Sequence, residues 1–419
     1  MAVSRVPVAA VDGNAGGLRP RERMRTDVFI SGGGIAGLTA AASLGAIGLD
    51  VICADPSPDH AETQVSHSDL RTTAILQPAA AVLRDAGVWE RLADDAVPLR
   101  TLRIADAGES ENRIQYQADY LASEISGEPF GWNVPNPRIR LALRDRLSAL
   151  PNVTILSERF TRAIVSRNRE AIVVLSDGSE ASCRLLIGAD GRRSRVRRAL
   201  GIGARVWHYG QKALACCVVH EHPHDNVSTE IYRSGGAFTL VPMADDGDRP
   251  QSALVWMDSI AEVERRQSLP ETEFDRELND RSYGAFGTMA LSGPRSAWPV
   301  IGMLADGLIG RRTALVAETA HVVPPIGAQG LNMSLTDIRC LVEQARAYHD
   351  DPGSPDALRQ YNRSRWLDIR LRTGIVDMLN RAARARSPTA RVGRLKALQC
   401  LHSGASLRRS MMKFGLGSG

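Results

Sequence analysis

The sequence predicts an α/β fold in which a parallel, nucleotide-type sheet domain carries an inserted antiparallel-sheet domain and ends in a long C-terminal helix. Three patterns predict it. A βαβ unit opens the ordered chain at Thr26, alternating apolar and polar runs fill the middle, and a long amphipathic stretch follows Pro355. With 419 residues, 43% of them hydrophobic, the chain can bury a sizeable core, which excludes a disordered protein.

Taken in order, residues 1–25 hold Arg5, Arg19, Arg21, Arg23 and Arg25 without an apolar stretch, so they read as a disordered N-terminal tail. A secretory signal is excluded; a transit peptide is the alternative. "TDVFISGGGIAGLTAAASLGAIGLDVICADPSP" then gives strand, glycine turn, Ala-rich helix and second strand. Helices follow at Leu76 to Leu92 and Arg138 to Leu150, the latter ended by Pro151. Two alternating runs meet at Asp177-Gly178, a turn pair favoured between antiparallel strands. From Gln211 to Asp258 the alternation predicts the antiparallel strands of a second layer, the natural substrate platform. "RRTALVAE" returns as a strand, "SLTDIRCLVEQARAYH" as a helix and "PDALRQYNRSRWLDIRLRTGIVDMLNRAAR" as the long helix. The expected division is 26–105, 138–202 and 298–350 for the nucleotide domain, 106–137 and 203–297 for the substrate domain, 354–386 for the C-terminal helix, and 387–419 for a basic tail.

The net charge of +5 suits an anionic cofactor or surface but is too small to indicate nucleic acid. After Asp377 there is no Asp or Glu, while Arg381, Arg384, Arg386, Arg391, Arg394, Lys396, Arg408, Arg409 and Lys413 remain. Six scattered cysteines without a CxxC pair read as reduced thiols, hence a cytoplasmic protein. No stretch of about 18 apolar residues is available to span a bilayer.

Gly32-x-Gly34-x-x-Gly37 follows strand residues Val28 to Ile30 and precedes a helix, the context in which glycines let a pyrophosphate rest on a helix N-terminus. Asp55 ends the next strand, and 55 − 32 = 23 residues, close to the roughly 20 expected for an acid on ribose hydroxyls. The bland alternative is a glycine turn without a ligand. "LLIGADGRRSRVRRALG" ends a further strand at Asp190-Gly191, either a second cofactor contact or an ordinary turn with Asp190 capping the helix. "VAETAHVVPPIGAQGLNMSLTD" puts Glu318, two prolines and Gly327 and Gly330 at the mouth of another helix.

Together "GGGIAG", "GADGRRSRVR" and "TAHVVPPIGAQGLNMSLTD" resemble the three fingerprints of the single-component flavoprotein aromatic hydroxylases. "SDLRTTAI", "YGQKALACCVV" and "SALVWMD" resemble the ubiquinone-biosynthesis branch of that superfamily. The resemblance implies a Rossmann-like FAD-binding domain with an inserted substrate domain. It also implies an FAD monooxygenase that uses NAD(P)H as a transient co-substrate, and O2 through a flavin C4a-hydroperoxide, to hydroxylate a prenylated phenol. Only one GxGxxG unit exists, so FAD occupies it and no second such domain remains for the nicotinamide.

Carried over by position, Gly32, Gly34 and Gly37 meet the FAD pyrophosphate and Asp55 the adenosine ribose. Arg71 lies near the pyrophosphate and flavin, and Asp190 with Gly191 belongs to the motif tied to FAD and NAD(P)H. Glu318 stands where the family has an Asp on the ribityl chain, and Ala317 where it has Gly. Pro325, Gly327, Gln329, Gly330, Leu331 and Asn332 wrap the pyrimidine end of the flavin, where helix-start amides can stabilise a reduced, anionic ring. No catalytic side chain is nominated. His321 is read as touching flavin or substrate, or else holding backbone carbonyls; Arg138 as reaching the nucleotide or standing in solvent. Trp256 and Trp298 are assigned to the core over substrate stacking.

The basic tail suits an anionic membrane face or a biosynthetic partner, against the plainer reading of a solvated segment. Two alternatives to the prenylated phenol stay open. One is hydroxylation of a soluble phenol or polyketide; the other is a non-catalytic scaffold, suggested by Ala317-Glu318. Halogenation is disfavoured, since W-x-W-x-I-P is absent.

Overall fold

The computed structural model describes residues 23–58, 71–108 and 113–417. The Met24–Ser31 strand lies at the centre of the first sheet, and Val28, Phe29 and Ile30 in it are fully buried. That unbroken apolar run is what a parallel strand covered on both faces needs. Val51–Ala54 and Glu180–Gly188 flank it in parallel. Val153–Leu156 and Thr313–Leu315 add one parallel strand on each side. A meander of Thr161–Ser166 and Ala171–Leu175 joins Glu180–Gly188, turning at Gly178 with φ 81° as the Asp-Gly pair requires. The helices of this region are α1 (Ile35–Ala46), α2 (Gln77–Asp85), α3 (Asn136–Ser148) and the short α4 (Arg195–Ala199).

The second sheet runs in the order His321–Val322, Met289–Ala305, Ala204–His220, Gln251–Ser259, Ala237–Pro242, Val227–Tyr232, Thr101–Asp106, Tyr116–Leu121. All neighbours are antiparallel except Val227–Tyr232 with Thr101–Asp106, which are parallel. Residues 101–105, expected in the nucleotide domain, thus pair within the second sheet; a strand follows its hydrogen-bonding neighbours, which a boundary drawn from composition does not see. A small third sheet pairs Thr72–Leu76 and Val97–Leu99 with Gly131–Pro135. One face of the second sheet packs Leu214, Phe238, Leu254 and Trp256 against α5 (Ile260–Ser268) and α6 (Glu271–Ser282), burying Val263, Phe274 and Leu278. The opposite face packs Ala213, Tyr232, Ala237 and Met257 against Ile326 and against Val376 and Ala383.

α7 (Gln329–Ala347) and α8 (Pro355–Ala383) follow, α8 being capped by the Ser354 side chain with Pro355 at its start. Residues 387–416, expected to be a tail, instead form α9 (Pro388–Ser403) and α10 (Ala405–Leu416). The acids that balance their charge sit far back in the sequence. Arg394, buried, makes a two-pronged pair with Asp106 at 2.6 and 2.9 Å. Arg408 pairs with Glu124 at 2.7 Å. Met412 and Leu416 of α10 pack with Leu76, Tyr120 and Phe130.

Candidate functional site: a cradle along the carboxyl edge of the parallel sheet

Four segments leave the carboxyl ends of four neighbouring parallel strands. They are the Gly32 turn, Asp55, the Asp190-Gly191 turn and the Ala317–Thr319 turn. Parallel strands end on one side, so residues nearly 290 apart share one edge (318 − 32 = 286).

Gly32 has φ 110°, and a Cβ there would collide with the Ala189 carbonyl oxygen; a Cβ at Gly37 would collide with the Gly32 carbonyl. Those two glycines make the turn and seat the helix. Gly34 is different, with no atom within 4 Å of where its Cβ would stand. It is the N-cap of α1, which has no side-chain cap and no acidic residue in its first turn. The first amides of α1 therefore point with the positive end of the helix dipole into open space, an arrangement that favours an anion.

The Asp55 carboxylate is held at this turn, accepting from the Gly33 N–H at 2.5 Å and the Ser57 N–H at 2.8 Å, with lone pairs left for hydroxyls. A Cβ on Gly33 would lie 2.8 Å from the Asp55 Cβ. Gly33 is thus a fourth glycine of the site. The xGx spacing passed over it, although the GGG run was the visible signal.

Asp190 accepts from the Ser194 hydroxyl and from the amides of Arg195 at 2.7 Å and Val196 at 3.2 Å. The N-cap of α4 is Ser194, not Asp190 as the plainer reading had it; Asp190 supports that cap from the turn before by accepting the first amides of the helix. Gly191, with φ 77° and no atom within 4 Å of its absent Cβ, leaves backbone open to a ligand. Arg197 ties this turn to the next by donating to the Thr319 carbonyl at 2.7 Å.

Ala317 takes φ 56°, the left-handed region that disfavours an L side chain. Its N–H donates at 3.0 Å to Asp337, which is fully buried in α7. The same carboxylate lies 2.7 Å from His321 Nε2 and receives Arg365 Nε at 2.7 Å. Burial pushes the Asp337 carboxyl up, but His321 and Arg365 outweigh it and hold the group below its ordinary range. His321 is therefore committed to Asp337, neither reaching into the site nor holding carbonyls. Asp337 and Arg365 escaped the sequence reading; Asp337 ends the quoted motif, while Arg365 meets it only through packing. Glu318 is exposed and, among the described residues, its carboxylate has no hydrogen bond or ion pair.

At the mouth of α7, Gly327 (φ 60°) and Ala328 (φ 55°) turn the chain after Pro325. Ala328 is the N-cap and offers no side-chain oxygen, and the first turn has no acid. The side chains of Gln329 and Asn332 face the protein. Gln329 bonds the carbonyls of Gly327 and Gly415 and receives Arg372, while Asn332 bonds the Leu76 amide at 2.9 Å and the Ala74 carbonyl at 2.8 Å. What this loop offers a planar ring is its backbone amides, with Gly330 leaving open space and Leu331 half-buried beside it.

Arg71 is exposed, its guanidinium 5.8 Å from the ring of Trp298, which is half-buried. Trp256, 3% exposed, belongs to the far face of the second sheet as core. Arg138 pairs with Asp95 at 2.8 Å instead of reaching the nucleotide region. Burial raises Cys53 and Cys183 to about 12, which removes thiolate chemistry from this sheet. No three His, Cys, Asp or Glu residues gather to hold a metal among the described residues. Two uncapped helix mouths, a held acid and a free acid at one edge fit the diphosphate, ribose, ribityl chain and ring of FAD.

The family described as "FAD binding domain" matches residues 25–369. The chain is 32% identical over 395 residues to ubiquinone hydroxylase UbiL of Rhodospirillum rubrum, covering 94% of this chain and 90% of that protein. It is 26% identical to the 3-demethoxyubiquinol 3-hydroxylase of Escherichia coli, covering 94% and 98%. The fold matches p-nitrophenol 4-monooxygenase PnpA of Pseudomonas putida DLL-E4 with a TM-score of 0.76 and 18% identity, covering 95% and 99%. The chain belongs to the FAD-binding aromatic-ring monooxygenases, in the branch of the ubiquinone-biosynthesis hydroxylases.

Proposed function

We propose that this monooxygenase hydroxylates the ring of a polyprenylated phenol on the route to ubiquinone, with NAD(P)H as transient reductant. The observation that carries the reading is the pairing of two uncapped helix mouths, α1 and α7, at one sheet edge beside a free Glu318. Bound FAD supplies the redox chemistry, accepting electrons from the nicotinamide and delivering one oxygen atom of O2. The chain's part is to bind and orient. The amides over Gly34 hold the diphosphate, Gly32 and Gly37 shape that turn, and Asp55 takes the ribose. Glu318 takes the ribityl hydroxyls and the α7 amides stabilise negative charge at the pyrimidine edge. Arg71, Gly191 and the 325–332 loop line the remaining cleft. Lipid-quinone profiling of a deletion strain tests the substrate: an accumulated prenylated phenol and a depleted quinone pool are expected, and an unchanged pool without a precursor would reject it.

Exposed apolar and basic residues of α8 and α10 support binding to an anionic bilayer, where an apolar substrate resides. Leu367 (74% exposed), Leu371 and Met378 of α8 and Leu407 and Met411 of α10 are exposed, accompanied by exposed Arg370, Arg381, Arg409 and Lys413. No helix among the described residues is long and apolar enough to cross a membrane, so such binding is peripheral. Sedimentation with anionic but not neutral vesicles is expected, weakened by Leu367→Ser with Leu371→Ser; equal recovery with both vesicles would remove the idea.

A further inference from the structure

The face of the second sheet that meets Ile326 carries one feature that binding of FAD does not use. Glu230 sits in the middle of the Val227–Tyr232 strand, opposite Ile104 on one side and Thr239 on the other. The cross-sheet row continues through Val255, Ala215 and Ser296. Apart from Ile104, the side chains in that row are small. Thr239 and Val255 remain half-exposed, whereas Phe238, Leu254 and Trp256 on the other face are 0 to 3% exposed. The row is closed on one side and partly accessible on the other, and its small side chains make that accessible side the one on which a flat ring can lie.

Glu230 is 5% exposed and faces this row. One carboxylate oxygen accepts from the Tyr232 hydroxyl; no donor meets the other among the described residues. The second oxygen is not among the fully buried unpaired polar atoms, so on an otherwise buried side chain it keeps an opening through which a ligand hydroxyl can reach it. The charged groups of this face around it are few. Asp106 and Arg394 neutralise each other beside Tyr232, and His402 of α9 packs on Tyr116 and Tyr120. None of them gives Glu230 a counter-ion. Burial raises its carboxyl and the Tyr232 hydrogen bond offsets part of that, the direction that suits a base working near neutrality.

We propose that Glu230 is the catalytic base that takes the phenolic proton of the substrate, with Tyr232 as its positioning residue. The phenol O–H bond breaks, the proton moves to the free oxygen of Glu230, and the electron pair stays on the phenolate, enriching the ring carbon that receives oxygen. Rearomatisation breaks the C–H bond of the hydroxylated ring carbon and releases that proton to solvent, and Glu230 returns its own proton to the phenolate oxygen, so Glu230 is unchanged over turnover. The inference rests on the hydroxylase reading and adds the residue that activates the ring.

The test uses the FAD-loaded full chain, NAD(P)H and a series of alkylphenols whose acidity is tuned by fluorine or nitro groups. Glu230→Gln is expected to slow hydroxylation of a plain alkylphenol by about 100-fold, with FAD content and KM little changed. The defect is expected to shrink to within about 3-fold for a phenol already ionised at the assay pH, since a preformed phenolate needs no base. Tyr232→Phe keeps the carboxylate and serves if Glu230→Gln fails to fold; it is expected to lose less activity with the same dependence on acidity. A second readout needs no turnover. On binding a nitrophenol below its ionisation pH, the oxidised wild type is expected to show the phenolate band without acidifying a weak buffer, and Glu230→Gln is not. A defect of equal size across the series, or none, overturns the role of Glu230. A wild type that hydroxylates no phenol overturns the hydroxylase reading itself.

Discussion

Ala317 is the residue at which the backbone and the ligand make opposed demands. A non-glycine residue in the left-handed region costs about 1–3 kcal/mol, and the Asp337 acceptor under its N–H holds it there. Ala317→Gly is expected to raise unfolding stability by about 1 kcal/mol in urea denaturation; a loss would mean the strain is absent. Glu318 has no protein partner, so Glu318→Ala should leave the apoprotein's melting unchanged and weaken FAD about tenfold, the ~1.4 kcal/mol of a charged hydrogen bond. Unchanged FAD affinity by fluorescence titration would detach Glu318 from the cofactor. Asp337 sets an acid limit. Its folded pKa is depressed, so its contribution is complete above the unfolded value of about 3.9 and is lost as pH falls through the folded value. Asp337→Asn should therefore flatten the acid limb of a stability–pH profile, and should cost about 3–5 kcal/mol near neutrality by leaving Arg365 without its buried partner.

Among the elements, α1 separates folding from binding within one motif. Gly37 is needed because a side chain would strike the Gly32 carbonyl, so Gly37→Ala should disturb the fold itself. Gly34 faces open space, so Gly34→Ala should fold with an unchanged melting temperature while its Cβ intrudes on the diphosphate and weakens FAD. If Gly34→Ala bound FAD as tightly as wild type, the α1 mouth would not be the diphosphate site. α7 repeats the device with a different economy of side chains. Gln329 and Asn332 are spent on anchoring the loop to Thr72–Leu76 and to α10, which leaves the amides for the ring.

For the whole molecule, α8 to α10 bind the two sheets together. Arg394 of α9 reaches Asp106 of the second sheet, and Arg372 of α8 reaches the Phe414 carbonyl of α10 at 2.9 Å. The Arg394–Asp106 pair is buried, so Arg394→Met should cost about 3–5 kcal/mol and Arg394→Met with Asp106→Leu should recover most of it. Arg408→Ala, at a pair about one-fifth exposed on each side, should cost less than about 1 kcal/mol. Urea unfolding of the three variants decides it, and equal costs at both pairs would contradict the burial argument.

Local patterns were enough to read the βαβ unit, the Asp177-Gly178 turn, the glycine turn at the mouth of α1 and Asp55 at the end of the second strand. Each depends on residues within about one element of each other, where spacing alone sets geometry. The unusual backbone at Ala317 was legible too, because a Cβ in place of glycine is a local fact. Tertiary structure alone decided the rest. His321 turned away from the site because Asp337 and Arg365 arrive from two later helices, and the basic tail became α9 and α10 because Asp106 and Glu124 wait on distant strands. Glu230 reads in sequence as one more polar residue in an alternating strand. Only the pairing of six neighbouring strands, with bulk on one face and small side chains on the other, sets its carboxylate in a partly accessible row.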